Sequence, residues 1–303
     1  MRKKKVGKTS ISDKAFDVVN VVLMIILLFL FAWPLYFVLI AAFSDPAAVW
    51  TGSVVLWPKG VTLKGFQELF KFKKIWVGYG NTIFYTAAGT ILNLVMTVLC
   101  AYPLSRKEWL PRKFFLKMCL VTMYFSGGLI PTYLVVKNLG LTDTVWAMII
   151  PSALSFYNAL IVRSYFSNSI PESLREAADL DGANSLQYLL HVVLPLSKPV
   201  LAVVGLYYAV GHWNDYYTAL IYIYDNNLAP LQSVLREILM SATAVSSQTA
   251  ISTADAVSMA EKVQLGQSLK YTSIIVSIVP MLAVYPFVQK YFVKGVMIGA
   301  IKG

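Results

Sequence analysis

The sequence predicts an all-α integral membrane protein, with six transmembrane helices and a polar helix-turn-helix exposed on one side. Three observations carry this. Only 14% of the 303 residues are charged and 57% are hydrophobic, against roughly 25% charged in soluble domains. Several apolar runs reach the roughly 20 residues a helix needs to cross a hydrocarbon core about 30 Å thick. Between two such runs lies a charge-bearing stretch, Glu176-Ala177-Ala178-Asp179-Leu180-Asp181-Gly182, followed by Val192-Val193-Leu194-Pro195.

The spans fall at about 16–43, 79–104, 114–136, 145–166, 199–222 and 271–292, within one membrane domain covering residues 1–303. The N-terminal arm is basic like a signal peptide. The apolar run after it is too long and lacks a small-residue cleavage site, so it reads as a retained first span. Residues 45–76 contain Trp50, Trp57, Pro58 and Phe66 and predict a short interfacial helix. Residues 223–270 form a long connection. It holds Leu228-Ala229-Pro230-Leu231-Gln232, a Leu/Arg/Glu pattern through Leu239, and a Ser/Thr/Ala-rich stretch at 241–256.

Charge orients the bundle. Arg2, Lys3, Lys4, Lys5, Lys8 and Lys14 precede the first span; Arg106, Lys107, Arg112 and Lys113 join spans two and three; Lys290, Lys294 and Lys302 end the chain. If the spans alternate, all three groups share one side, which the positive-inside rule makes the cytosol, and residues 167–198 share it. Both termini are then cytosolic. Lys71, Lys73 and Lys74 in the first outer loop run against this bias. A net charge of +11 would suggest nucleic acid in a soluble protein, but no soluble domain offers a basic face. Cys100 and Cys119 fall in apolar helices and read as small hydrophobes. His191 and His212 are too few and too isolated to hold a metal.

The segment 167–198 has a mechanical logic. Pro171 suits the first turn of a helix, and Glu172 follows where the helix dipole favours an acid. Leu174, Ala177 and Ala178 share a face at helical spacing. Gly182 can take the left-handed conformation that ends a helix. Asn184 or Ser185 can cap a second short helix, and Pro195 stops it. Lipid-surface helices normally carry Lys or Arg on the polar face. This one carries Glu172, Glu176, Asp179 and Asp181, so a protein partner suits it better than anionic lipid.

The spacing E-A-A, three residues, G, nine residues, V-x-L-P resembles the EAA loop of ABC importer permeases. Further motifs resemble the maltose-type carbohydrate group, polysaccharide-permease branch. These are Phe125-Ser126-Gly127-Gly128-Leu129-Ile130-Pro131-Thr132, Ile170-Pro171-Glu172, Asp181-Gly182-Ala183, Trp213-Asn214-Asp215-Tyr216-Tyr217, and the ending Gly295-Val296-Met297-Ile298-Gly299-Ala300-Ile301-Lys302-Gly303. The resemblance implies a bacterial cell-membrane permease importing oligosaccharides or polysaccharide fragments by alternating access. Its partners would be a second homologous permease, two ABC ATPase subunits and an extracellular solute-binding protein. Glu176, Ala177, Ala178, Asp179, Gly182, Leu194 and Pro195 would dock on the ATPase, and residues 299–303 would reach between the ATPase subunits. A permease for a peptide or amino acid is the alternative. No G-x-x-x-x-G-K-[ST] occurs in the sequence, so the chain is read as a non-enzymatic transport subunit without a cofactor of its own. ATP and Mg would sit on the partner ATPase.

Polar groups in spans tend to face a bundle interior or a water-filled path. Asn81, Tyr85 and Asn93 in span two, Asn158 in span four, and His212, Trp213, Asn214, Asp215, Tyr216 and Tyr217 in span five are the candidates for a translocation path. Asp215 is an acid expected well inside a span, and His212 would share its helix face. Aromatic rings beside hydrogen-bonding groups suit a sugar. The same groups can instead hold helices together or anchor a span at the membrane interface.

Overall fold

A computed structural model describes residues 11–246 and 253–300, and among these the chain is helical with no strand. The helices are α1 Ile11–Ala42, α2 Pro46–Trp50, α3 Lys64–Lys71, α4 Lys73–Ser105, α5 Arg112–Tyr124, α6 Leu129–Asn138 and α7 Phe156–Asn168. They continue with α8 Glu172–Leu180, α9 Ser185–Tyr188, α10 Leu194–Leu196, α11 Lys198–Trp213, α12 Tyr217–Tyr222, α13 Leu231–Ser246 and α14 Thr253–Ala300. The basic residues at 2–8 and the tail at 301–303 lie outside the described residues, as does 247–252 of the Ser/Thr/Ala-rich stretch.

Three stretches are long and apolar enough to cross a membrane by length and composition: Ser12–Ala42, Lys73–Ser105 and Lys262–Val284. Two bent pairs raise the number to five. Arg112–Tyr124 and Leu129–Asn138 meet at 113°, and Ser185–Leu196 and Lys198–Trp213 meet at 80°. The helices therefore differ from six straight spans. The expected third span breaks at 125–128, where Gly128 takes φ +86°, a region open chiefly to glycine. The expected fourth opens as a 3₁₀ turn, Val145–Met148, and becomes α-helical only at Phe156. Pro151 lies in the gap, and residues before proline avoid the helical region. The 13 residues of α7 reach only about 20 Å at 1.5 Å each. The expected fifth span is cut between α11 and α12. Much of the 223–270 connection is helical, in α13 and the start of α14, which has 48 residues.

The chain divides into two compact units. In the unit holding α1, α2 and the first part of α14, Phe37 meets Tyr271 edge-on at 5.7 Å, and Phe43 lies 5.1 Å from Phe66. Ala41, Ala42 and Ser44 are buried, whereas the apolar side chains from Phe16 to Phe31 on α1 are exposed.

The unit holding α4 through α12 is organised on α4. Its buried positions are Ile75, Gly78, Thr82, Tyr85, Gly89, Asn93, Thr97, Ala101 and Leu104. Every interval is three or four residues, the spacing of one helix face. Polar side chains lie within this buried stripe, while Ile83, Phe84, Ile91, Val95 and Leu99 are exposed. Polar inside and apolar outside is the arrangement a lipid solvent selects. At one end, Ala101 of α4 joins Val162 and Phe166 of α7, Val200, Val204 and Tyr208 of α11, and Tyr188, Leu189 and Val193 in a single apolar core. Cys100 and Cys119 are free and half-buried.

Candidate functional site

The segment between α7 and α11 forms the expected helix, turn and second helix, with local differences. Pro171 sits one residue before α8 in extended conformation, and Glu172 opens the helix. Gly182 has φ +72°. Its N–H donates to Asp179 O (3.1 Å), and the Ala183 N–H donates to Ala178 O (2.9 Å). This is a Schellman ending, with glycine at the left-handed position. Asn184 caps α9 through a reciprocal box: Asn184 Oδ1 accepts from Gln187 N (2.9 Å), and Gln187 Oε1 accepts from Asn184 N (2.8 Å). The chain then widens into a π-helical turn, Leu189–Val193. Pro195 falls within α10, and the bend into α11 comes at Ser197.

Burial divides this segment sharply. Tyr188, Leu189 and Val193 are rooted in the core, with Val192 and Leu194 packed against them. No residue of α8 is buried. Of the expected face, only Ala178 touches the core; Ala177 is exposed and Leu174 is 38% exposed. Leu180 is 88% exposed. Glu176 is exposed and makes no hydrogen bond or ion pair among the described residues. The helix is steadied by Arg175, whose Nε donates to both Asp179 carboxylate oxygens at 2.8 Å. That bond holds the guanidinium above its ordinary pKa against the opposing effect of burial. An exposed i,i+4 pair of this kind contributes about 0.3–0.5 kcal/mol.

Sequence reasoning treated Arg106 only as a topology charge and passed over Tyr188. Both matter here. The Arg106 and Arg175 guanidinium carbons lie 5.4 and 5.5 Å from the centre of the Tyr188 ring. Burial pushes the Tyr188 hydroxyl pKa up, and Arg106 opposes it. Arg106 also lies over Tyr102, 5.7 Å from its centre. The aromatic-plus-arginine composition of these stretches was the available signal, but their convergence is tertiary.

The candidate path residues scatter among structural bonds. Asn81 Nδ2 donates to the carbonyls of Asn227 (2.7 Å) and Ala229 (3.0 Å), and the Tyr85 hydroxyl donates to Leu228 O (2.9 Å). Both therefore grip the connection leading into α13, and Thr82 Oγ1 accepts from Leu231 N (2.8 Å) beside them. Asn93 bonds His212 and the Ser152 carbonyl. Asn158 is buried near the start of α7. Trp213 is buried, its Nε1 donating to Ser277 O at 3.0 Å. Asn214 Nδ2 donates back to Val210 O (2.9 Å). His212 and Asp215 do not share a helix face, because α11 ends at Trp213. Asp215 Oδ1 instead accepts from Thr218 N (2.9 Å) in the first turn of α12. Tyr216 and Tyr217 are exposed, and the Arg236 guanidinium lies over Tyr216 at 5.7 Å.

Apolar helices long enough to cross a membrane, with an exposed, acid-bearing helix attached to their core, define a membrane protein of the all-helical class. Comparison with known proteins agrees. The chain is 38% identical over 294 residues to Protein LplC of Bacillus subtilis (strain 168), covering 96% of each chain. It is 35% identical over 291 residues to the polygalacturonan/rhamnogalacturonan transport system permease protein YtcP of the same organism, covering 96% of this chain and 99% of that one. Among solved structures, it is similar to a chain of a bacterial ABC transporter involved in the import of the acidic polysaccharide alginate. The TM-score is 0.83 at 34% identity, covering 94% of this chain and 99% of that chain. No protein-family model matches the chain. The chain belongs to the ABC transporter permease family, in its sugar-importing group. Members are transport components rather than enzymes.

Proposed function

We propose that this chain is one permease half of an importer for fragments of an acidic polysaccharide. It works in the cytoplasmic membrane with a second permease, two ATPase subunits that bind ATP and Mg, and an outer solute-binding protein. The substrate class rests on the relatives: a permease named for polygalacturonan and rhamnogalacturonan, and a structure concerned with alginate import. In this reading the three long helices, α5 with α6, α7, and α11 with α12 serve as six spans, with both termini and α8 in the cytosol.

The observation that carries the reading is the contrast in burial along 172–194. No residue from Glu172 to Leu180 is buried, and of these Ala178 packs on the core and Arg175 lies over the Tyr188 ring, whereas Tyr188, Leu189 and Val193 are locked into the core. A lever needs both a free end and a fixed root. Glu176, Ala177, Ala178, Asp179 and Gly182 form the free end that docks on the ATPase, and Leu194 and Pro195 lead from the root into α11. Closure of the ATPase dimer moves α8, and the rooted turn passes that motion to α11 and α4. The ATPase's two states thereby bias two states of the permease. Substrate passes near the exposed Asn214, Tyr216 and Tyr217 at the break between α11 and α12, since broken helices at membrane depth line cavities.

The test is co-purification together with uptake. Glu176→Lys is expected to insert normally, to lose the ATPase subunits on purification, and to abolish uptake of oligogalacturonate or oligoalginate. Full ATPase retention by that variant would sink the docking role. Cysteine labelling that placed residues 170–195 outside the cell would sink the topology.

A further inference from the structure

A guanidinium with two unsatisfied nitrogens marks a second site. Nε and Nη2 of Arg106 are buried and have no hydrogen-bond partner among the described residues. The nearest carboxylate oxygen, Glu108 Oε2, stands 3.6 Å from Nε, beyond hydrogen-bond reach. Leaving a buried charge unsatisfied is costly, and an oxyanion is the natural complement of a guanidinium fork. Beside Arg106 opens a groove of about 380 Å³ lined by Tyr102, Pro103, Arg106, Glu108, Trp109, Arg175 and Ser185. Arg106 and Arg175 converge on the Tyr188 ring; Arg175 is paired with Asp179, which leaves Arg106, with Glu108 3.6 Å away, as the cation that can take a further anion.

The remaining walls indicate which anion fits. Pro103 and Trp109 give the groove an apolar side, and Trp109 stacks on Phe115 at 5.3 Å. Leu110 is 93% exposed and Phe114 67% exposed next to it, with Lys107 and Lys113 exposed around them. A free phosphate has no use for an apolar wall. A phospholipid has, and basic pockets at the cytoplasmic ends of membrane helices suit anionic headgroups. We propose that the groove at Arg106 binds the phosphate headgroup of an anionic phospholipid. The Arg106 guanidinium takes the phosphate, and Pro103 and Trp109 flank the glycerol and upper acyl chain. Bound there, the lipid bridges the end of α4 to the root of the coupling segment.

The site rests on the cytosolic placement of α8 proposed above, but lipid retention by the chain alone does not depend on ATPase docking. Labelling that moved residues 170–195 outside would defeat that placement without altering lipid binding. The full chain, purified and delipidated in detergent, is titrated with phosphatidylglycerol, phosphatidylcholine or inorganic phosphate and read by native mass spectrometry. One phosphatidylglycerol should be retained about tenfold better than phosphatidylcholine, as expected for one charge-assisted bond. Arg106→Gln should lose that preference, and Arg106→Lys should keep part of it. Lys137→Gln, exposed elsewhere on α6, should keep all of it. Ser185→Asp places an acid at the first position of α9, where the helix tolerates it. It should repel the headgroup, and it decides the matter if Arg106→Gln fails to fold. Equal retention of the two lipids, or unchanged retention in both Arg106→Gln and Ser185→Asp, overturns the proposal. Displacement by millimolar inorganic phosphate would instead assign a free-anion site. Loss of the lipid on assembly with the ATPase would assign Arg106 to a carboxylate of that partner. Either result also overturns it.

Discussion

His212 Nε2 on α11 stands 2.7 Å from Asn93 Oδ1 on α4. Asn93 Nδ2 donates to the Ser152 carbonyl, so its oxygen must accept and His212 Nε2 carries the proton. A second bridge runs parallel to this one. The Tyr208 hydroxyl pairs with Thr97 Oγ1 at 2.8 Å and accepts from Ser155 N at 3.1 Å. Ser152 and Ser155 belong to the non-helical stretch before α7. Backbone groups freed by a broken helix must find partners where water is scarce, and α4 and α11 supply them. Asn93 and His212, two of the candidate path residues, here fasten a break.

Gly89 makes this fastening possible, because a Cβ there would overlap the His212 ring. Gly89→Ala is expected to cost about 1–3 kcal/mol, the usual penalty for overpacking. Asn93→Leu should cost a similar ~1–3 kcal/mol by orphaning the imidazole N–H and the Ser152 carbonyl. Gly80 is the control, since nothing lies within 4 Å of its would-be Cβ. Thermal unfolding in detergent should show Gly80→Ala unchanged or stabilised and both other variants lowered.

At Gly182 the demand is conformational. Its φ is +72°, yet a Cβ would meet nothing within 4 Å in this chain. Left-handed backbone costs a typical side chain about 1–2 kcal/mol, and Asn tolerates it better than most residues. Gly182→Asn should therefore keep most ATPase retention and uptake, whereas Gly182→Val should lose both. Equal loss in the two variants would move the cause from backbone geometry to a steric clash with the docked subunit.

Glu176 separates function from stability. It has no partner among the described residues, so Glu176→Lys should shift unfolding by no more than about 0.5 kcal/mol. Its uptake should nonetheless vanish. A large fall in unfolding temperature would instead give Glu176 a structural role inside the chain.

Asp143 supplies an acid-sensitive clasp outside the expected spans. It takes φ +58°, its N–H donates to Tyr222 O (2.7 Å), and its Oδ1 accepts from Tyr224 N and Asp225 N at 2.8 Å each. The Asp225 and Tyr224 N–H groups hold its carboxyl below the ordinary carboxylate pKa. A lowered folded-state pKa means the stabilisation is complete above the unfolded value, about 3.9. It is lost as pH falls through the folded one. Wild type should exceed Asp143→Ala in unfolding temperature at pH 7, and the gap should narrow below about pH 4. A gap that is constant with pH would remove the charge from the explanation.

The division between what was legible and what was not follows from range. Membrane character, the helix-turn-helix at 172–188, the Gly182 ending and the Asn184 cap were readable because each depends on neighbours within a turn or two. Apolar run length, a left-handed glycine and a capping box are local devices. Straight spans at 114–136, 145–166 and 199–222 were the local expectation as well. The chain departed from it at 125–128, 149–155 and 214–216, and at 149–155 partners distant in sequence, Asn93 and Tyr208, satisfy the broken backbone. Arg106, Tyr188 and Arg175 lie up to 82 positions apart in the sequence, and only packing brings them onto one ring. The sequence alone thus determined the solvent this chain lives in and the shape of its exposed helix-turn-helix. The tertiary structure decided which polar groups are used up holding the bundle together and which guanidinium is left with bonds to give, since hydrogen-bond satisfaction belongs to the folded whole.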